Sequence, residues 1–146
     1  MDDKRFLIRN CVRIVKKTQA HMDIVLKEYG LSSGSYPYLL ELRGNEGIHC
    51  ENLSKKLGVD KAMSTRTIRK LVQLGYLTKI PDELDSRASK LYLTEKARDC
   101  IPEILTRLEQ WIDFITDDLS EPDKNSVFES LAKIENKTYG EGQCAK

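Results

Sequence analysis

The chain has 146 residues, of which 40% are hydrophobic, and a formal net charge of +1. This is the size of one ordinary domain, with enough apolar side chains to fold without disulfides. No apolar run approaches the roughly 18 residues of a membrane span, and the N-terminus lacks the apolar core of a signal peptide, so we expect a cytoplasmic protein without membrane contacts. Residues 51–70 contain six basic and two acidic side chains, whereas residues 95–135 contain five basic and eleven acidic side chains. The basic centre indicates an anionic partner.

The cysteines do not form a recognisable framework. Cys11, Cys50, Cys100 and Cys144 are scattered without paired spacing, and a domain of this size is expected to keep them reduced. His49 precedes Cys50, but a structural zinc ion requires four ligands, and no second ligand pair follows at a fixed spacing. We therefore predict neither a metal site nor a cofactor.

The N-terminal part of the chain predicts two helices. Apolar residues recur at every third or fourth position from residue 4 to residue 29, which is typical of one long amphipathic helix that ends at Gly30. Ser33 is the predicted N-cap of a second helix, with Pro37 in its first turn and Gly44 at its end.

Residues 50–75 predict a helix-turn-helix. Gly58 supplies the left-handed backbone conformation at the end of the first short helix, and Asp60 caps the second. The second helix buries either Met63 or Ser64, together with the apolar residues that follow at helical spacing. Its other side is basic and polar and carries Lys61, Thr65, Arg66, Arg69 and Lys70.

After Gly75 the spacing of apolar residues changes to alternation, in residues 76–81 and again in residues 89–94. A polar stretch with Asp82 and Asp85 joins the two runs, which is the pattern of a two-stranded hairpin. A hairpin that directly follows a helix-turn-helix is a wing. Two more helices are predicted, one that begins after Thr94 and one capped by Ser120, followed by a flexible tail in residues 139–146.

The predicted fold class is mainly α-helical with a small β wing. Residues 31–94 form a winged helix-turn-helix module, and residues 4–30 and 95–138 form dimerisation helices. These helices are too apolar around Ile8, Leu105, Ile112 and Ile115 to be covered by the small module alone, so we expect a homodimer.

This order of elements resembles the multiple-antibiotic-resistance regulator (MarR) family, over about residues 4–138. The family's wing signature is Asp-x-Arg, five residues, and then Leu-Thr-x-x-Gly. Asp85, Arg87, Leu93 and Thr94 match it, and Ala97 replaces the final glycine. The resemblance implies a transcription regulator that binds double-stranded DNA as a homodimer. We expect a repressor of a pseudo-palindromic operator, relieved by a small phenolic or lipophilic effector.

The predicted DNA contacts come from the second helix of the helix-turn-helix and from the wing. An arginine at a wing tip can enter the electronegative minor groove, and we expect Asp85 to hold the Arg87 guanidinium by a bidentate contact. The start of the recognition helix would meet base edges, whereas its later cations and Ser33 would meet phosphates. The full predicted set is Ser33, Lys61, Ala62, Met63, Ser64, Thr65, Arg66, Arg69, Lys70, Asp85 and Arg87.

Two further features leave alternatives open. His21, Tyr36, Tyr38 and Trp111 are candidate effector contacts, although aromatic residues at helical spacing are more often core. Cys11 lies close to where hydroperoxide-sensing members of the family keep a reactive thiol supported by tyrosines of the same helix, but the nearby positions here are Val12, Ile14, Val15 and Val25. Either a thiol-based redox sensor or an inert core cysteine is compatible with the residues.

The residues also bear on functions of other classes. A winged-helix module that binds protein is an alternative, because a fold does not determine its partner. The two histidines have no acid or nucleophile at catalytic spacing, and the chain has no phosphate-binding glycine loop, so no enzyme is predicted.

Overall fold

The computed structural model describes residues 3–138. The predicted flexible tail, residues 139–146 with Cys144, lies outside the described residues. Within the described residues the chain divides into two compact units, residues 3–109 and residues 110–138. Among the helices of residues 3–138, none combines the length and the apolar character that crossing a bilayer requires.

The elements follow the predicted order. They are α1 (Arg5–Val25), a short 3-10 helix (Lys27–Tyr29), α2 (Tyr36–Leu42), α3 (Cys50–Leu57), α4 (Lys61–Gln73), β1 (Leu77–Pro81), β2 (Ser89–Leu93), α5 (Glu95–Ile115) and α6 (Glu121–Thr138). The mainly helical fold class with a two-stranded wing is thereby confirmed.

The starts of α4 and α6 confirm their predicted caps. The Asp60 carboxylate accepts a hydrogen bond from the Met63 N–H at 2.8 Å, and the Ser120 hydroxyl accepts one from the Asp123 N–H at 3.2 Å. Each cap satisfies a backbone donor that the first turn of a helix leaves without a partner. The α3–α4 turn has Gly58 at φ 65°, in the left-handed region that favours glycine.

Two predicted helix ends are wrong. Helix α1 ends at Val25, because the next residues tighten into the separate 3-10 helix before Gly30. Helix α2 begins at Tyr36 rather than after Ser33. The Ser33 N–H instead binds the Asp23 carboxylate of α1 at 2.7 Å, so Ser33 ties the α1–α2 connection together and caps no helix.

The core of the first unit lies between the helix-turn-helix and the wing. Its largest fully buried side chains come from α1, α2, α3, α4, β2, the first half of α5 and the connections between them, and they include Met22, Leu26, Tyr38, Leu39, Leu42, Leu53, Leu71, Tyr76, Leu91 and Ile104. Because both β2 and α4 contribute to this one core, the wing is held on the same body as the recognition helix.

The wing is paired on both edges of β2. On one edge β1 runs antiparallel, with Leu77 opposite Leu93 and Pro81 opposite Ser89. On the other edge Leu91 exchanges backbone hydrogen bonds with Gly47 and Ile48, at 2.8 and 3.0 Å. An isolated bridge between His49 and Lys90 extends this second edge, so the chain just before α3 acts as a short third strand.

Candidate nucleic-acid interface

Helix α4 presents a polar, basic side to solvent and packs its other side on the core. Ile68 and Leu71 are buried, and so is Ser64, which lies on the same face at i, i+4 and i+7 spacing. Ser64 is only 1% exposed, and its hydroxyl lies 2.5 Å from the Ser54 hydroxyl of α3. The prediction that the Ser64 side chain contacts DNA is therefore wrong, because its one polar group is already bound inside the protein.

The remaining predicted positions of α4 are exposed. Met63 turns outward and is 47% exposed, the reverse of what its hydrophobicity suggests. The predicted residues of α4 that are exposed are Lys61, Ala62, Met63, Thr65, Arg66, Arg69 and Lys70. Within residues 3–138, none of the four cations in this set has an ion-pair partner, whereas Lys55 of α3 pairs with Glu51. Their charges are available to an outside anion.

The wing loop, residues 82–88, is shaped by two aspartates that each bind a backbone N–H two residues ahead. The Asp82 carboxylate accepts from Leu84 at 2.9 Å, and the Asp85 carboxylate accepts from Arg87 at 3.0 Å. Two further backbone bonds, Asp82 N–H to the Ala88 carbonyl and Ala88 N–H to the Asp85 carbonyl, are both 3.0 Å long. Such side-chain turns hold an irregular loop in one conformation.

This geometry corrects the role predicted for Asp85. Its carboxylate binds the main chain of Arg87, and no ion pair joins it to the Arg87 guanidinium among the described side chains. Asp85 therefore fixes the backbone from which Arg87 projects, and the exposed guanidinium keeps all its donors for another partner.

The recognition helix, α4, and the wing together enclose a groove with a volume of about 560 Å³, which we call the wing–helix groove. It is lined by side chains from the start of α3, from α4, from β1 and from the wing loop. The predicted residues that it brings together are Lys61, Ser64, Thr65, Arg69, Asp85 and Arg87.

The groove also contains residues that sequence reasoning missed. His49, Asn52 and Gln73 add polar groups, and Lys79 of β1 adds a cation. With Lys61, Arg69 and Arg87, four cations face two carboxylates, those of Glu51 and Asp85. Lys79 lies in the alternating run of residues 76–81 that predicts the first strand of the wing, whereas nothing local places His49 beside the wing.

Comparison with known proteins identifies the fold that carries this groove. Residues 31–89 match the family model described as the MarR family. The HTH-type transcriptional regulator BilQ of Clostridioides difficile (strain CD3) is 31% identical over 121 residues, which cover 83% of this chain and 82% of that protein. The chain belongs to the MarR family. Members of this family are transcription regulators and not enzymes.

Two solved MarR structures agree with this assignment. A MarR transcriptional regulator from Methanosarcina mazei Go1 superposes with a TM-score of 0.90 at 27% identity, covering 94% of this chain and 99% of that one. A MarR family regulator from Listeria monocytogenes, complexed with 26mer DNA, superposes with a TM-score of 0.82 at 25% identity, covering 94% and 89%. The winged helix-turn-helix is therefore the MarR fold.

The candidate effector residues are distributed over both units of this MarR protein. In the first unit, His21 and Tyr36 are half-buried, and burial raises the pKa of the Tyr36 hydroxyl. Tyr38 is a core residue whose hydroxyl has no hydrogen-bond partner within residues 3–138. In the second unit, the Trp111 ring lies 5.8 Å from that of Phe114.

The described cysteines, Cys11, Cys50 and Cys100, are all free. Cys11 is half-buried on α1, and the neighbouring Arg9 guanidinium lies 4.0 Å from the centre of the Phe6 ring. Burial raises the pKa of the Cys50 and Cys100 thiols, which keeps both protonated near neutral pH. No group of three or more His, Cys, Asp or Glu side chains within residues 3–138 is placed to hold a metal ion.

Proposed function

We propose that the chain is a homodimeric repressor that binds a short pseudo-palindromic operator through the wing–helix groove and is released by a small effector. The observation that carries this proposal is the set of cations without internal partners on α4 and the wing loop. A protein that left so many cations unpaired on one face would gain little stability from them, whereas a polyanion would engage them all.

Two kinds of DNA contact follow from the geometry of one protomer. The exposed start of α4, with Lys61, Thr65 and Arg66, is suited to base edges in the major groove. Arg69 and Lys79 line the wing–helix groove from α4 and β1 and are suited to a phosphate backbone that runs between helix and wing. Arg87, at the end of the wing loop, would then reach the adjacent minor groove.

Exposed apolar residues support the homodimer. Helix α6 has no buried residue, and its apolar stripe of Val127, Phe128, Leu131 and Ile134 is open, with Phe128 49% exposed. Because most of the stability of a helix in a protein comes from packing of its apolar face, a second copy is the natural cover for this stripe. Helix α1 likewise exposes apolar side chains, among them Ile8 at 65%.

A two-fold dimer increases the selectivity for DNA sequence, because it presents two wing–helix grooves to one operator. Two copies of α4 would face half-sites about one DNA turn apart, and the operator would share the symmetry of the protein. Occupancy of a promoter by this dimer blocks access for other proteins, which is the simplest route to repression. An effector relieves repression only if it binds more tightly to a dimer with a different spacing of its recognition helices.

The proposal is tested by selecting bound duplexes from a random pool and then titrating the selected duplex at several salt concentrations. We expect enriched sequences with two inverted half-sites and a log–log salt slope that reports several released counterions. Arg69→Ala should reduce both the affinity and the slope, whereas Arg43→Ala, which removes an exposed arginine at the end of α2, should change neither. Weak binding that is insensitive to salt would instead support a protein-interaction module.

A further inference from the structure

We propose that His49 is a positioning residue for the wing, and that its contact with Asp82 makes DNA affinity increase as pH falls from 8 to 5.5. This inference rests on the proposed DNA-binding function. It concerns a contact between the helix-turn-helix and the wing loop that the wing signature does not contain.

The contact is short and its acceptor is well placed. The His49 Nε2 atom lies 2.6 Å from one carboxylate oxygen of Asp82, whose side chain is 12% exposed. The other carboxylate oxygen accepts the Leu84 N–H, and the Asp82 N–H donates to the Ala88 carbonyl. Asp82 therefore holds the start of the wing loop through Leu84 and its end through Ala88. His49 links Asp82, and with it the loop, to the start of α3.

His49 is itself fixed by the main chain. It occupies the N-cap position of α3 with extended backbone angles, and it bridges to Lys90 of β2. A side chain on this junction cannot follow the loop if the loop moves. The imidazole consequently fixes the wing loop relative to α3. Through Asp82 it also restricts the position of Arg87, five residues later.

Asp82 remains ionised across the proposed pH range. The hydrogen bond from the Leu84 N–H, and after it the hydrogen bond from His49, lower the pKa of the Asp82 carboxyl. Histidine is the side chain that ordinarily changes charge between pH 5 and 8. At low pH the contact is an ion pair with a charge-assisted hydrogen bond, whereas at high pH only the tautomer with hydrogen on Nε2 can donate.

Other titratable or charged groups line the same groove as His49 or lie on the strand that pairs with it, and their charges act on the same site. They are Glu51 and Cys50 of α3, Lys61 and Arg69 of α4, Lys79 of β1, Asp85 and Arg87 of the wing loop, and Lys90 of β2. None of them ordinarily changes charge between pH 5.5 and 8, because the burial of Cys50 keeps its thiol protonated.

The experiment measures DNA affinity from pH 5.5 to 8 at constant ionic strength, with the full chain. We expect wild-type affinity to rise about two- to fivefold toward pH 5.5, the factor that a partly exposed ion pair contributes. H49Q keeps a hydrogen-bond donor but cannot titrate, so its affinity at pH 8 should match wild type and its pH dependence should be lost. Arg43→Ala, which removes an exposed cation outside the wing–helix groove, should retain the wild-type profile.

Two variants separate positioning from direct attraction of phosphates by the imidazolium. D82N should abolish the pH dependence if His49 acts through the loop; a preserved profile in D82N would overturn the proposal. Likewise, H49A should weaken binding in the wild-type background and have no added effect in an R87A background.

Hydrogen exchange of the free protein makes this inference distinguishable from the proposed function. Amides of residues 82–88 should exchange faster in H49A than in wild type at equal pH, with unchanged exchange in α4. If R87A does not affect DNA binding, the proposed role of the wing fails. If R87A weakens binding but H49A leaves both the loop amides and the affinity unchanged, only the positioning role of His49 fails.

Discussion

Removing the side chain of Arg87 isolates the contribution of the wing to DNA affinity. The guanidinium is exposed and has no ion-pair partner within residues 3–138, and the one described bond of Arg87 in the loop is made by its backbone N–H. Arg87→Ala therefore leaves no internal group without a partner and should change the free energy of unfolding by less than about 0.5 kcal/mol. The loss of a groove-reading arginine should cost about 1–3 kcal/mol of binding energy, roughly 5- to 150-fold in affinity.

Fluorescence anisotropy with the selected duplex, measured across salt concentrations, distinguishes a base-reading arginine from a phosphate-binding one. A minor-groove contact predicts that Arg87→Ala lowers affinity with a smaller change in salt slope than Arg69→Ala, and that Arg87→Lys recovers only part of the loss. Affinity within twofold of wild type at physiological salt would refute the wing contact.

Asp85 provides a matched control for the same reasoning. Because its carboxylate binds the Arg87 N–H, Asp85→Asn should preserve the turn and most of the affinity, whereas Asp85→Ala should not. If Asn were as damaging as Ala, the charge of Asp85 would matter more than its backbone contact, and the originally predicted pairing with the guanidinium would regain support.

Three further outcomes are expected. Ser64→Ala should lower the free energy of unfolding by about 1 kcal/mol through loss of the Ser54 contact, as measured by urea denaturation, while the folded protein keeps its DNA affinity. Phe128→Asp should shift the protein from dimer to monomer in light scattering, and Glu129→Ala on the same helix should not; a variant that stays dimeric would exclude the α6 stripe from the interface. Peroxide should release DNA equally from wild type and from Cys11→Ser, and protection by the substitution would identify Cys11 as a redox switch instead.

The α3–α4 contact shows that the spacing of residues along a helix determines which side chain is buried, where composition alone allows two choices. Met63 and Ser64 were equal candidates for the buried face of α4, and hydrophobicity alone favours the methionine. Ser64 is inward because Ile68 and Leu71 follow it by four and seven residues, while Met63 is out of phase with both. A small residue at this point also suits two helices joined by a tight turn, and the partner hydroxyl of Ser54 satisfies its polarity.

Caps and turns were predictable where one residue type has one geometric use. Gly58 and Asp60 occupy the conformations expected of them, because glycine tolerates a positive φ and a side-chain carboxylate reaches the N–H three residues ahead. Ser33 was predicted as the N-cap of α2 on the same grounds, but α2 begins only at Tyr36. The Ser33 N–H donates instead to the Asp23 carboxylate of α1, a contact that the local sequence does not reveal.

The wing loop shows why a motif can locate a site and still mislead about its mechanism. Asp85 and Arg87 were recognisable from spacing, but spacing does not say which donor of Arg87 the carboxylate binds. The backbone N–H lies within reach at a fixed position, whereas a guanidinium must give up the freedom of a long side chain to come back to the same oxygen. The nearer donor is bound, and the arginine head remains free.

Contacts between distant parts of the chain have no such local signal. His49 and Asp82 are 33 residues apart, and their approach depends on the pairing of residues 47–49 with β2, which alternation of apolar residues does not reveal. With β2 paired on both edges, the wing cannot shift without breaking backbone hydrogen bonds on one side or the other. A substitution at residues 47–49 should therefore alter the contact between the wing and DNA, even though these residues are not proposed to contact DNA themselves.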